Sequence, residues 1–125
     1  MIKKFKFSPA FVDARGEITN LLEESIAHIT YITSRAGALR GNHFHQEDTH
    51  YSYLVSGKFE YSEMHDGVVE STLMEPGDMV FSPAGVPHAM KFFEESVFMA
   101  FTTRERDAGK YDEDTHYHTV VEPEV

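Results

Sequence analysis

The side chains best equipped for chemistry are histidines, and the chain carries 8 of them. Three lie close together, as His43-Phe44-His45 and then His50. In an extended strand, residues two apart point to the same face, so His43 and His45 project together. Two imidazoles so placed can converge on one ion, at nitrogen–metal distances of roughly 2.0–2.1 Å. The intervening Gln46-Glu47-Asp48-Thr49 is long enough for a turn, which lets His50 begin the next strand and point back into the same space. His88 opens a further apolar stretch directly after Pro83-Ala84-Gly85-Val86-Pro87. A lone His-x-His pair is weak evidence for a metal. Its value depends on the elements that hold it.

Those elements read as short strands. Turn signals recur at Ala14-Arg15-Gly16, Ala36-Gly37, Ser56-Gly57, Asp66-Gly67, Pro76-Gly77 and Pro83-Ala84-Gly85. Between them, aromatic and β-branched residues concentrate at 26–32, 50–55, 59–64, 68–73, 79–81 and 97–103. The start of the chain, Met1 to Phe7, alternates apolar and polar residues and reads as another strand. No window keeps an apolar period of 3.6 residues over a helix length, so the expected class is all-β, an antiparallel sandwich or barrel. Asp66-Gly67 is the sharpest hairpin signal, because both turn positions need positive φ. Residues 105–125 are acid-rich, with Tyr111, Tyr117, Val120 and Val121 among their apolar residues. They are expected to form a C-terminal arm or edge strand on a single domain spanning 1–125.

Composition narrows the function classes. With 11 Lys+Arg against 21 Asp+Glu, the formal charge is −10, which disfavours nucleic acid and anionic membrane as partners. No apolar run reaches the length of a membrane span or a signal h-region, so the expected location is cytoplasmic. The absence of cysteine excludes disulfides, thiolate ligands and thiol nucleophiles, leaving imidazole and carboxylate as the strong metal ligands.

The histidines sit in two spaced frames. The first is Gly37, five residues, His43-x-His45, four residues, His50, six residues and Gly57. The second is Gly77, five residues, Pro83-x-Gly85, two residues and His88. In both frames the sequence resembles the cupin superfamily. The resemblance implies a double-stranded β-helix, or jelly-roll barrel, with a divalent metal held inside by His43, His45, His50 and His88. Two positions depart from the pattern: the family usually has Glu where this chain has His50, and often Asn where it has Phe92. Four neutral nitrogen ligands would leave the ion's charge uncompensated and favour an anionic oxygen as a further ligand. Imidazole suits Zn, Cu, Fe and Ni, with Mn also open; the sequence does not choose among them.

Strand parity supplies neighbours for the site. Ser52 and Leu54 share the face of His50, Met90 and Phe92 that of His88, and Leu39 and Gly41 that of His43 and His45. Tyr51 and Tyr53 fall on the opposite face, as packing or dimer-interface residues. Glu47 and Asp48, in the loop, are expected to be solvated, or else to accept a proton from a ligand imidazole. His28 reads as a satisfied barrel histidine, His65 as an exposed turn residue, and His116-Tyr117-His118 as a pair without a supporting frame.

A narrower resemblance concerns cupins that act on nucleotide-linked deoxysugars, the ketoisomerases and epimerases. It is carried by Asp13-Ala14-Arg15-Gly16-Glu17-Ile18 and by Arg40-Gly41-Asn42-His43-Phe44-His45. It implies Arg40 as an anion contact, with His43 and His45 as catalytic proton carriers that need no metal. Three functions follow. The leading one is a metal-dependent enzyme on a small polar metabolite, by isomerisation, epimerisation or dioxygenase-type chemistry. The second is a metal-free sugar-nucleotide isomerase using histidine acid–base catalysis. The third is a non-catalytic cupin that binds a small ligand or metal. A small-molecule partner, carbohydrate or sugar nucleotide among the candidates, is expected in an active homodimer.

Overall fold

The alternating strands of the sequence pack as two sheets. The computed structural model describes residues 1–104 and 113–123, so Tyr111 lies outside the described residues. Twelve strands occur among the described residues: β1 Lys3–Phe5, β2 Phe11–Asp13, β3 Gly16–Ile18, β4 His28–Ser34, β5 Leu39–His45, β6 His50–Ser56, β7 Phe59–His65, β8 Val68–Met74, β9 Met79–Ser82, β10 His88–Phe92, β11 Ser96–Thr102 and β12 Thr115–Tyr117. One five-stranded sheet has the order β1-β9-β6-β11-β4, and the other β12-β5-β10-β7-β8, with β2 and β3 as a separate hairpin. Every pairing is antiparallel. The architecture is the expected all-β jelly roll.

Period-two patterning explains which faces meet. Along β6, His50, Ser52 and Leu54 are buried, whereas Tyr51 and Tyr53 are half-buried. Inward residues of both sheets form a core of Leu54, Phe59, Tyr61, Met74, Val80, Met90, Phe92 and Phe98. Phe92 packs its ring 5.0 Å from Phe59 and 5.7 Å from Phe98, so the position that departs from the cupin pattern serves the core. On the outer face, Tyr51 lies against Phe5 and Phe81, and Tyr53 against Phe7. The two tyrosines therefore hold the N-terminal segment.

The β7–β8 hairpin closes on the expected turn. His65 pairs with Val68, leaving Asp66 at φ 51 and Gly67 at φ 78 as the two turn residues. At the other edge, β12 pairs with β5, Thr115 opposite His45 and Tyr117 opposite His43. The C-terminal segment thus lies directly alongside the strand that bears the His-x-His pair.

A bulge in β5 alters the simple parity. His88 pairs with His43, but the next residue, Ala89, pairs with Gly41, so Asn42 is an extra residue in the ladder. Asn42 adopts φ 54 and Gly41 φ 87. A Cβ on Gly41 would lie 2.8 Å from the His88 carbonyl oxygen, so the two strands approach here as only glycine permits. Beyond the bulge, Arg40 lies opposite Met90 and Leu39 opposite Lys91, with Arg40 exposed and Leu39 half-buried.

Candidate functional site

Between the sheets lies a cavity of about 350 Å³. His43, His50 and His88 line it, with Arg40, Ser52 and Met90 among their neighbours. The His43 and His45 rings are 4.7 Å apart, His43 and His88 4.8 Å, His50 and His88 5.3 Å, and His45 and His50 5.5 Å. The rings of the four sequence-predicted histidines therefore form one cluster, three of them on the cavity wall. His45, His50 and His88 are buried there.

Two sets of donor atoms in this cluster are close enough to share an ion. One nitrogen each from His43, His45 and His88 lie within 4.8 Å of one another. So do donor atoms of His45, Asp48 and His50. His45 belongs to both sets. Of the two expectations for Asp48, the solvated one is corrected: it is 5% exposed, with Oδ2 3.7 Å from His50 Nδ1, beside an imidazole as the other expectation had it. The sequence signal was faint, since only its position between two ligand candidates marked it.

Backbone carbonyls fix the tautomers of two histidines. His45 Nδ1 lies 3.1 Å from the Asp114 carbonyl oxygen, and His88 Nδ1 3.4 Å from that of Val86. Each Nδ1 donates its proton there, which places the ring's lone pair on Nε2. Burial holds the His88 imidazole well below the usual histidine range, with the neighbouring His50, His43 and His45 acting in the same direction. His45 is lowered too, by burial first and His50 second, against the raising effects of the Asp114 carbonyl and the Asp48 and Asp114 carboxylates. Both rings are thus kept neutral, the form that binds a metal or accepts a proton.

Asp114, which the sequence reading passed over, organises the loop between the ligand candidates. Its carboxylate accepts N–H bonds from Gln46 at 2.9 Å, Glu47 at 3.2 Å and Asp48 at 2.9 Å. Partial burial raises the Asp114 carboxyl, but those amides outweigh it and the net shift is downward. Asn42, also unforeseen, ties the C-terminal segment to the β5 bulge. Its Oδ1 accepts from the Val120 and Val121 amides, and its Nδ2 donates to the Val121 carbonyl.

Other expectations are redistributed. Ser52 and Met90 line the cavity as parity implied, whereas Leu54 and Phe92 belong to the core below it. Gly41 and Leu39 remain at the cavity wall, but the bulge brings in Arg40 as well. Arg40 Nε donates to Ser34 Oγ at 2.7 Å and its Nη2 to the Thr33 carbonyl at 3.0 Å, which anchors the guanidinium on β4. Glu47 is exposed and pairs with Arg104. His28 is exposed at the start of β4 and not a barrel histidine. His65, expected to be exposed, is half-buried with Nε2 2.9 Å from Glu63. His116 stacks on Phe44, and His118 contacts the Met64 sulfur.

The cupin domain profile matches residues 30–101, which contain all four converging histidines. The chain belongs to the cupin family. No curated protein sequence matches this cupin. Among solved structures, QdtA, a sugar 3,4-ketoisomerase from Thermoanaerobacterium thermosaccharolyticum in complex with TDP, superposes with TM-score 0.75 at 17% identity over 91% of this chain and 85% of that one. A 3,4-ketoisomerase from Helicobacter canadensis gives TM-score 0.75 at 20% identity, over 90% and 92%. CapF, a capsular polysaccharide assembling protein from Staphylococcus aureus, gives 0.69 at 20% identity, over 93% of this chain but 35% of that one. These likenesses establish the fold. No helix among the described residues is long and apolar enough to cross a membrane.

Proposed function

We propose that this cupin is a metal-dependent enzyme acting on a small polar metabolite, with His43, His45, His50 and His88 as ligands of one divalent transition ion. The observation that carries the reading is the clustering of four imidazoles, three of them on the cavity wall, with donor atoms of His43, His45 and His88 within 4.8 Å of one another. The donor set fits such an ion: His45 and His88 are held neutral and their Nδ1 protons are committed to carbonyls. When bound, the ion supplies Lewis acidity for a substrate carbonyl or hydroxyl. The chain supplies the rest of the site. Arg40 offers a guanidinium at the cavity wall for an anionic group. Ser52, buried and with no hydrogen-bond partner for its hydroxyl among the described residues, can orient a substrate oxygen. Met90, Phe98 and Ala100 provide apolar walls.

Purification without a chelating column, followed by metal analysis, tests this reading. We expect close to one equivalent of transition metal per chain. Less than about a tenth of an equivalent, not restored by Mn, Fe, Ni, Cu or Zn, overturns it. The metal found also sorts the chemistry: iron or copper supports dioxygenase-type reactions, zinc an isomerase or epimerase.

A second reading is favoured by Arg40, which the bulge brings to the cavity beside His43. It is metal-free sugar-nucleotide isomerisation with His43 and His45 as proton carriers. The ketoisomerase neighbours, one seen with TDP, make nucleotide-linked keto sugars the class to try. Metal-stripped protein incubated with such a sugar in heavy water should then place deuterium on the sugar carbon. No incorporation removes this reading. We also propose a homodimer. Edge strand β4 leaves Ile29 and Tyr31 exposed on its outer face, and a one-chain mass by light scattering overturns it.

A further inference from the structure

We propose that Asp48 is itself a metal ligand, binding the ion together with His45 and His50. The inference depends on the metal reading above and adds a ligand that the cupin spacing does not contain.

Three observations converge on it. Asp48 is 5% exposed, and neither carboxylate oxygen has a hydrogen-bond partner among the described residues. A carboxylate removed from water in this way demands a positive neighbour, and His50 Nδ1 lies 3.7 Å from its Oδ2. Second, donor atoms of His45, Asp48 and His50 all lie within 4.8 Å of one another, the two-histidine, one-carboxylate set that suits a divalent ion. Third, the backbone is held for the purpose. Asp114 grips the amides of Gln46, Glu47 and Asp48 with its carboxylate and the His45 ring with its carbonyl, so one residue positions both His45 and the loop that delivers Asp48.

The charge balance gives the arrangement a reason. At position 50 this chain has an imidazole where the cupin pattern usually has Glu. Four neutral nitrogens alone would leave the ion with its full double charge in a buried site. Asp48, two residues earlier and entering from the loop, restores one negative charge beside it. His45 stands in both donor sets, so an ion held by His45, Asp48 and His50 would share that residue with the His43 and His88 set.

Cobalt binding decides between ligation and mere orientation of His50. The chain has no cysteine, so Asp48→Cys introduces a single thiol whose signal cannot be confused with another. A cobalt-loaded Asp48→Cys protein should show a thiolate-to-cobalt charge-transfer band in the near ultraviolet, and Asp48→Asn should bind cobalt roughly tenfold or more weakly than the parent. Parent-like affinity in Asp48→Asn, or a cobalt-loaded Cys variant with no band, overturns Asp48 as a ligand while leaving the metal site in place. Failure of the unsubstituted protein to bind cobalt overturns both readings together. Should the Cys variant not fold, the visible cobalt bands of Asp48→Asn decide: a displaced spectrum supports ligation, and a superimposable one refutes it.

Discussion

Three buried carboxylates among the described residues are treated in two different ways. Glu63 is fully buried, yet both its oxygens are satisfied: Tyr61 donates its hydroxyl at 2.7 Å, and His65 Nε2 lies 2.9 Å away. Tyr61 also lies 3.0 Å from the Ser82 hydroxyl, and its ring stacks on His88. Burial, aided by the Glu63 charge, pushes the Tyr61 phenol far above its usual range, so it stays a protonated donor. Asp78 is likewise satisfied, by the Lys6 ammonium at 2.8 Å and the Glu75 amide at 3.0 Å. Asp48 has no such hydrogen bonds among the described residues. A closed polar network stands beside His88, whereas the Asp48 carboxylate, beside His45 and His50, is left open. The difference lies in the hydrogen-bond partners and not in the chemistry of the groups, all three of which are carboxylates.

That contrast breaks most visibly at His45. It belongs to both donor sets, so His45→Ala should weaken metal binding by more than about 100-fold in a metal-buffer competition. Retained affinity would mean that the cluster is only another closed network. Glu63→Gln should do the opposite. It disturbs a fully bonded buried carboxylate, so urea unfolding should register a loss of about 1–3 kcal/mol, with metal affinity close to the parent. A variant that keeps its stability but loses metal would place Glu63 in the site. Asp48→Asn removes an unpaired buried charge. Its metal-free form should be more stable than the parent by about 1 kcal/mol in the same urea experiment, at the expense of metal affinity. Destabilisation there would show that Asp48 already has a partner in the fold.

The fold was largely legible because its strands alternate cleanly and its turns use residues with a backbone reason to be there. Asp66-Gly67 is the plainest case, since both positions take positive φ. The four histidines were legible because each stands at a fixed distance from a glycine or proline that ends a strand. The register that sets Arg40 opposite Met90 was not, because it follows from one extra residue, Asn42, and a bulge has no periodic signature. Asp114 was out of reach for another reason. It acts from a segment 66 to 68 residues away from the loop it holds, through hydrogen bonds that leave no pattern in either stretch. Asp48 was read as solvated because loop acids ordinarily are. Its backbone amide is held by that same remote carboxylate.

The smallest expected effect concerns pH, and it tests whether the cavity histidines are held neutral by the fold. His88 and His45 are depressed in the folded state, by burial before anything else. An unfolded chain takes up protons on these rings near pH 6.5, whereas the folded chain resists doing so. Below that pH the unfolded state binds more protons, so the metal-free protein should lose stability steadily as pH falls from about 7 to 5. The His88→Gln variant should flatten this slope, because its share of the proton uptake is gone. Glu63→Gln should leave most of the slope in place, since its network does not impose the neutrality of the cavity. A parent protein whose urea midpoint rises on acidification over that range would contradict the sign, and with it the claim that these imidazoles are kept in the form that binds metal.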